Sequence, residues 1–330
     1  MSELGYLSAA RYGKDLVKIA RVIRNGEEHH VVEYIIQVLL EGDIEASYTK
    51  ADNSCVVATD SMKNTCHIFA KTSPYILDAP IFALHLGLHF VNKYVHIKKT
   101  FIDIVQLRWS RISASLTAMA VIQGLVNNFS QQVDGKPHKW SFIQDSNEKA
   151  LVECVVDATA GPESTTADLK IGIKDLLVLK TSGSGFENFY RDEFTTLTEV
   201  ADRIFSTSVS LQCTLSLPPN IPLTIANLDA IAKELNLPRI KENIRKDVLD
   251  TFATDESASV QATLYLTLQN ILKSCPVVKD ASMQLPNKHY IPIDLSRFGI
   301  DNKLGYEGGA EIFYPASDPS GLITATVTRK

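Results

Sequence analysis

A handful of short segments set chemically capable side chains beside glycine, proline or apolar runs. They are Lys14 in YGKD, Thr59 and Asp60 in VATDS, Arg203 in DRI, Gln261 in SASVQAT, and Asn287 and His289 in LPNKHY. Lysine, threonine and histidine can carry protons, and arginine or glutamine can hold a charged or amide-bearing ligand. Each residue also has an ordinary structural reading. A lysine after glycine is usually solvated. Thr-Asp ahead of a helix is usually an N-cap, its side-chain oxygen accepting from a free backbone N–H. Gln261 in an apolar helix reads as a satisfied core amide, and a lone histidine near a strand start is more often structural than catalytic. Taken singly, none of them identifies a reaction.

Familiar motifs narrow the field by their absence from the sequence. There is no GxGxxG, Walker loop, HExxH or GxSxG. This removes the common dinucleotide, nucleotide, zinc-protease and hydrolase readings. Cys55, Cys66, Cys154, Cys213 and Cys275 are odd in number and scattered, with no CxxC and no zinc spacing. They read as reduced, mostly buried thiols of an intracellular protein.

The elements that must position these residues alternate between strands and helices. Val17–Val22 and Val31–Leu40 read as an antiparallel hairpin around a charged turn. Thr59–Lys71 and Ala79–Lys93 read as helices, followed by strands at Tyr94–Ile97 and Phe101–Arg111. A similar order returns later. Ala150–Val156, Ile171–Lys180 and Ile204–Leu217 read as strands. Leu228–Leu235, Ile240–Phe252 and Ser257–Lys273 read as helices. Met283–Leu285, Tyr290–Leu295 and Ile323–Thr328 read as strands. The repeated order predicts an α+β chain of two related domains, residues 1–150 and 151–330, although no clear repeat shows in the letters. Residues 113–132 carry no charge and interrupt a strand–turn–strand between RWSRI and VDGKPHKWSF. They read either as a long hairpin insertion or as non-native sequence such as an unremoved intron.

The totals fit a globular chain. It has 330 residues, 45% of them hydrophobic, and a formal net charge of -5. No basic excess points to nucleic acid and no acidic tail points to disorder. No secretory signal is expected from the opening residues, and no apolar run reaches the roughly 18 residues of a membrane span. From the residues alone the reading stops at a soluble α+β protein with the marks of an enzyme.

Longer blocks carry a resemblance. They include LLEGDIEASYTKADNSCVVATDSMKNT (Leu39–Thr65), LHFVNKYVHI (Leu88–Ile97), DGKPHKWSFI (Asp134–Ile143), LVLKTSGSGF (Leu177–Phe186), DEFTTL (Asp192–Leu197), DRIFST (Asp202–Thr207), SASVQAT (Ser257–Thr263) and LPNKHY (Leu285–Tyr290). In this order they resemble the urate oxidase (uricase) family over most of the chain. The resemblance implies two tandem tunnelling-fold (T-fold) domains, with antiparallel sheets backed by helices. It also implies a tunnel-shaped homotetramer with active sites between chains. It further implies cofactor-free oxidation of urate by dioxygen and water, giving 5-hydroxyisourate and hydrogen peroxide.

Site roles follow from the same resemblance. Lys14 and Thr59 resemble the catalytic pair, with Asp60 offering its backbone to the substrate. Arg203 and Gln261 resemble the clamp on urate, and Phe186 the ring stacked on it. Leu197 and Val260 resemble further substrate contacts. Asn287 and His289 resemble the dioxygen/water site and the proton relay. No metal or nucleic acid is implied.

Departures from the family pattern are local. Glu187-Asn188-Phe189 stands where the family usually has Trp-Gly-Phe, and Ser208-Val209-Ser210 where it has Asp-Val-Asp. Trp140 stands where a histidine is common. The family's eukaryotic members commonly end in a peroxisomal tripeptide, whereas this chain ends Thr-Arg-Lys. The resemblance therefore implies a peroxisome, with the cytoplasm as the alternative. Two other readings stand beside an active urate oxidase. One is a diverged, inactive relative with disrupted assembly. The other is a further T-fold enzyme acting on a pterin or purine.

Overall fold

The computed structural model describes residues 4–114, 136–304 and 309–330. The uncharged segment 113–132 falls outside the described residues except for its first two. Those close β4, described below.

Eleven described strands and six described α-helices alternate along the chain. The first half contributes β1 (Tyr12–Asn25), β2 (Glu28–Gly42), α1 (Glu45–Thr49), α2 (Thr59–Thr72), α3 (Ala79–Lys93), β3 (Ile97–Leu107), β4 (Ser110–Ala114), β5 (Lys136–Ile143) and β6 (Lys149–Asp157). The second half contributes β7 (Thr166–Lys180), β8 (Phe205–Leu215), α4 (Leu228–Leu235), α5 (Leu237–Thr254), α6 (Val260–Ser274), β9 (Val278–Pro292), β10 (Phe313–Ala316) and β11 (Leu322–Thr328). Several expected boundaries move. Tyr94–Ile97 and Phe101–Arg111 are not two strands. The chain turns at Tyr94 and enters β3 at Ile97. Met283–Leu285 and Tyr290–Leu295 likewise merge into the single long strand β9. Ladder pairing on both edges carries β9 through its polar stretch, where composition alone signals a break.

Nine of the strands form one antiparallel sheet in the order β1-β2-β3-β6-β7-β8-β9-β10, with β11 also paired to β9. β4 and β5 form a separate two-stranded ribbon, as the flanks of the uncharged segment suggest. Residue 150 lies in β6, which pairs with β3 on one side and β7 on the other, so the two halves share one ladder. Both halves open with a bulged strand. β1 slips between Lys14 and Val17, with Leu16 at φ 56°, and β7 slips between Ile173 and Leu176, with Asp175 at φ 59°. The same letters, Lys-Asp-Leu, mark both bulges at 14–16 and 174–176. That short echo is too brief to stand out before the bulges are seen.

One face of the sheet is apolar and covered by helices. Alternate residues of β2 (Val32, Tyr34, Ile36, Val38 and Leu40) are buried, as period-two geometry requires. α3 has buried residues all around its surface and fills the middle of the helix layer over β3 and β6. α2 lies on β1, and α6 lies on β9 and β11. Four cysteines (66, 154, 213 and 275) are buried free thiols in this core, while Cys55 is exposed. Burial pushes the Cys66 and Cys213 thiols up to about 12. The halves are also clasped by charge. Glu148, ahead of β6, accepts from Arg245 of α5 at 2.9 and 3.0 Å and from Arg108 at 2.6 Å.

Close approach of α3 to the sheet depends on Gly87. A Cβ there would meet Val156 Cγ2 at 2.6 Å and Thr100 Oγ1 at 2.9 Å. Both are core side chains that cannot swing away. Gly87→Ala is expected to destabilise the chain by about 1–3 kcal/mol through overpacking. A thermal melt of the purified variant checks this, and an unchanged midpoint would contradict the tight seat of α3.

Candidate functional site

The sequence-derived residues gather into two groups at different ends of the sheet. Lys14 belongs to the first. It lies on β1 opposite Val38, which is buried under the helices, so its side chain leaves the sheet on the helix face. α2 is held over it at both ends by β1. The Val57 backbone N–H donates to the Tyr12 hydroxyl at 2.7 Å, just ahead of the helix. Arg21 donates to the carbonyls of Ala70 and Lys71 at 3.1 and 2.8 Å, satisfying acceptors left free in the last turn. Met62, Cys66 and Ala70 bury one stripe of α2 between these anchors.

Thr59 and Asp60 are the first two residues of α2, and Ala58 is its N-cap. They are therefore not the cap that a Thr-Asp pair suggests. They sit in the first turn, where backbone N–H groups have no intrahelical partner and the helix dipole favours anions. The Asp60 carboxyl is held below the usual carboxylate range, chiefly by its hydrogen bond from Lys63 at 2.6 Å, with a contribution from the charge of Lys14. Lys14, Thr59 and Asp60 thus form one polar group at the β1 edge.

The second group lies at the opposite side. Gly185 N–H donates to Ser257 O at 2.8 Å, and Ser257 N–H donates to Gly183 O at 3.0 Å. This tie seats the 183–186 loop against the chain entering α6. Phe186 and Val200 exchange backbone hydrogen bonds at 2.7 and 3.1 Å, and Arg203 N–H donates to Ser184 O at 2.8 Å. The Arg203 guanidinium carbon then lies 5.3 Å from the centre of the Phe186 ring. Burial lowers the pKa of Arg203 from its ordinary value.

Val260 and Gln261 are the first residues of α6, capped by Ser259, whose hydroxyl accepts from Ala262 N–H at 3.1 Å. Gln261 is exposed in the first turn, so it is not the core amide that its apolar neighbours suggest. A second helix N-terminus therefore faces this group. Asn287 stands opposite Thr207 in the β8–β9 ladder, at the end of β8 that follows Arg203, and His289 lies two residues on in the same strand. Leu197 sits farther out on the 187–199 loop with its side chain 48% exposed. Among the described residues, no group of three or more His, Cys, Asp and Glu is placed to hold a metal ion.

Register separates the two groups widely. From Lys14 the ladder runs through Val38, Ile102, Cys154 and Leu169 to Leu215. Five strand spacings of about 4.8 Å make roughly 24 Å across the sheet. Leu215 is the end of β8 remote from Arg203, which adds roughly 30 Å along the strand. Lys14 and Thr59 of one chain are thus far from Arg203 and Gln261 of that chain.

Residues to which the sequence reading gave no role hold the second group together. Asp202 is foremost. Its carboxylate accepts from Ser182 Oγ at 2.6 Å and from the N–H groups of Gly183 and Ser184 at 2.7 and 3.4 Å. Its pKa is lowered, first by the Ser182 hydrogen bond. A carboxyl held low in the fold contributes stability above its unfolded pKa, and that contribution is lost as pH falls through the folded value. The difference in melting midpoint between the parent and Asp202→Asn is expected to be full at pH 7 and to shrink below about pH 4. Melts across a pH series check this, and a pH-independent difference would contradict it.

Comparison with known proteins gives one result throughout. A family model described as Uricase matches residues 10–155 and 169–324. The uricase of Emericella nidulans is 42% identical, over 98% of this chain and 97% of the relative. The uricase of Schizosaccharomyces pombe is 39% identical over all of both chains. Among solved structures, the uricase of Arthrobacter globiformis superposes with a TM-score of 0.79 at 30% identity, covering 99% of this chain and 96% of the other. With the family model matched over most of its length and near full-length relatives at these identities, the chain belongs to the uricase family.

Proposed function

We propose that the chain is a urate oxidase, converting urate, dioxygen and water to 5-hydroxyisourate and hydrogen peroxide in purine catabolism. The observation that carries the reading is the group formed by Phe186, Arg203 and the α6 N-terminus with Val260 and Gln261. It offers a flat apolar face, a planar cationic fork, an amide and free N–H groups within one locality. Urate is planar, anionic near neutral pH and edged by carbonyl and N–H groups. A guanidinium binds such an edge bidentately, and a glutamine amide matches an adjacent donor and acceptor. Phe186 stacks on the ring, and Leu197 and Val260 close around it.

The remaining residues serve proton transfer and oxygen. Lys14 and Thr59 take protons from urate, with the Asp60 backbone as a further contact. The resulting dianion is electron-rich enough to reduce dioxygen itself, so the reaction needs no cofactor. Asn287 holds dioxygen and then water, and His289 extends the relay. Oxygen is reduced to peroxide as urate loses two electrons. Water adds to the oxidised ring to give the hydroxylated product.

The separation of the two groups supports a site completed between chains. Lys14, Thr59 and Asp60 come from one copy, and Phe186, Arg203, Gln261, Asn287 and His289 from another. A homotetramer around a tunnel agrees with three features. Among the described residues, no helix covers the other face of the sheet, β1 and the β10/β11 side have no further strand partner, and Leu16, Leu177 and Leu322 are exposed. A tandem division at residues 1–150 and 151–330 is supported by the repeated element order, the paired bulges, and the gap between the matched stretches 10–155 and 169–324. A peroxisomal location is proposed on family resemblance alone. No described helix is long and apolar enough to cross a membrane.

Purified chain in air-saturated buffer is expected to consume urate with matching peroxide, unaffected by chelator. Lys14→Ala is expected to lower kcat by roughly a hundredfold or more, the scale of a lost general base. A well-folded oligomer that leaves urate untouched would overturn the reading. It would favour the diverged relative.

A further inference from the structure

We propose that Phe189 is a positioning residue for the substrate-stacking ring, holding Phe186 from behind while Arg191 fastens the pair to the Leu197 side of the same loop. The inference deepens the urate reading of the site and rests on it. The Phe186 and Phe189 rings stack with centroids 4.9 Å apart and planes 9° from parallel. With one face of Phe186 covered in this way, a planar ligand can stack only from the other side. The guanidinium of Arg191 lies 5.3 Å from the centre of the Phe189 ring, and its Nη1 donates to the Leu197 carbonyl at 2.7 Å. A continuous contact therefore runs from Leu197 through Arg191 and Phe189 to Phe186.

The local backbone explains how two phenylalanines three residues apart come to lie flat on each other. Asn188 adopts φ 56°, and its N–H donates to Glu199 Oε1 at 3.0 Å. This left-handed residue bends the chain between the two rings. The family usually has glycine here. Asparagine is among the few residues with a side chain that tolerate the conformation, so Glu187-Asn188 keeps the turn. Glu187 itself is exposed. The loop is also closed at its base by the paired hydrogen bonds between Phe186 and Val200.

A ring that must offer one face to a flat ligand loses rotamer freedom when the ligand binds. Fixing it beforehand removes that cost from binding. The effect belongs to the affinity of the ground state and transition state alike, so it is read in KM rather than kcat.

The test uses the full chain with urate as substrate. Phe189→Ala is expected to raise KM about fivefold, with kcat within about twofold of the parent. Phe189→Tyr keeps the flat ring and is expected to match the parent. Phe189→Leu keeps apolar volume without the flat face. It is expected to follow the alanine variant, and it decides the question where the alanine variant does not fold. A folded alanine or leucine variant with the parental KM overturns the positioning role alone. A parent chain that does not turn over urate overturns the urate reading, and this role with it.

Discussion

The ladder spacing of a β-sheet cannot be compressed. Each antiparallel neighbour adds nearly 5 Å, and hydrogen-bond register fixes where each residue stands along its strand. In this chain Lys14 is on an edge strand, and Arg203 leads into β8 five positions away, at the strand's opposite end. Much of the molecule is arranged around that fixed separation. α2 is fastened to the β1 edge by Tyr12 and Arg21, so Lys14, Thr59 and Asp60 travel with that edge. The 183–203 stretch is tied within itself by Asp202 and to the α6 entrance by Ser257, so Phe186, Arg203, Val260 and Gln261 travel with the other end. On the proposed reading, each group lacks what the other holds.

Both groups use the same physical device. Thr59 and Asp60 open α2, and Val260 and Gln261 open α6. In each case the first-turn N–H groups face outward, with a side chain added for specificity. Each such helix start carries partial positive charge that favours an anion. Arg203 adds a full charge, half-buried, where solvent screens it less. The contacts among Arg203, Phe186, Phe189 and Arg191 link the Phe186 ring to its loop.

Much of this was legible before any coordinates. The alternation of Val32, Tyr34, Ile36, Val38 and Leu40 marks β2, and the helical spacing of Met62, Cys66 and Ala70 marks α2. The blocks around Lys14, Thr59, Arg203, Gln261 and Asn287 marked the family. What could not be read depends on partners distant in sequence. β9 reads as two strands because its polar middle is held only by neighbouring strands. Gln261 looked internal because the N-cap is set by Ser259, three residues later than pattern suggests. Asp202 and Ser257 lie in the blocks that carry the resemblance and Phe189 beside one, but nothing in the letters gives them or Arg191 a role, which comes from contacts closed by the fold. The division of the site into two groups was implied only by resemblance. Register shows the two groups far apart within one chain.

The central claim is that one active site takes Lys14 and Thr59 from one chain and Arg203 and Gln261 from another. Lys14→Ala and Arg203→Ala chains, each nearly inactive alone, can be co-expressed with different tags and purified through both. Random mixing in a symmetric oligomer should restore about a quarter of the parental activity, because about one site in four then has both parental halves. Doubly tagged assemblies no more active than either variant alone would show that the site lies within a single chain, and would contradict the account.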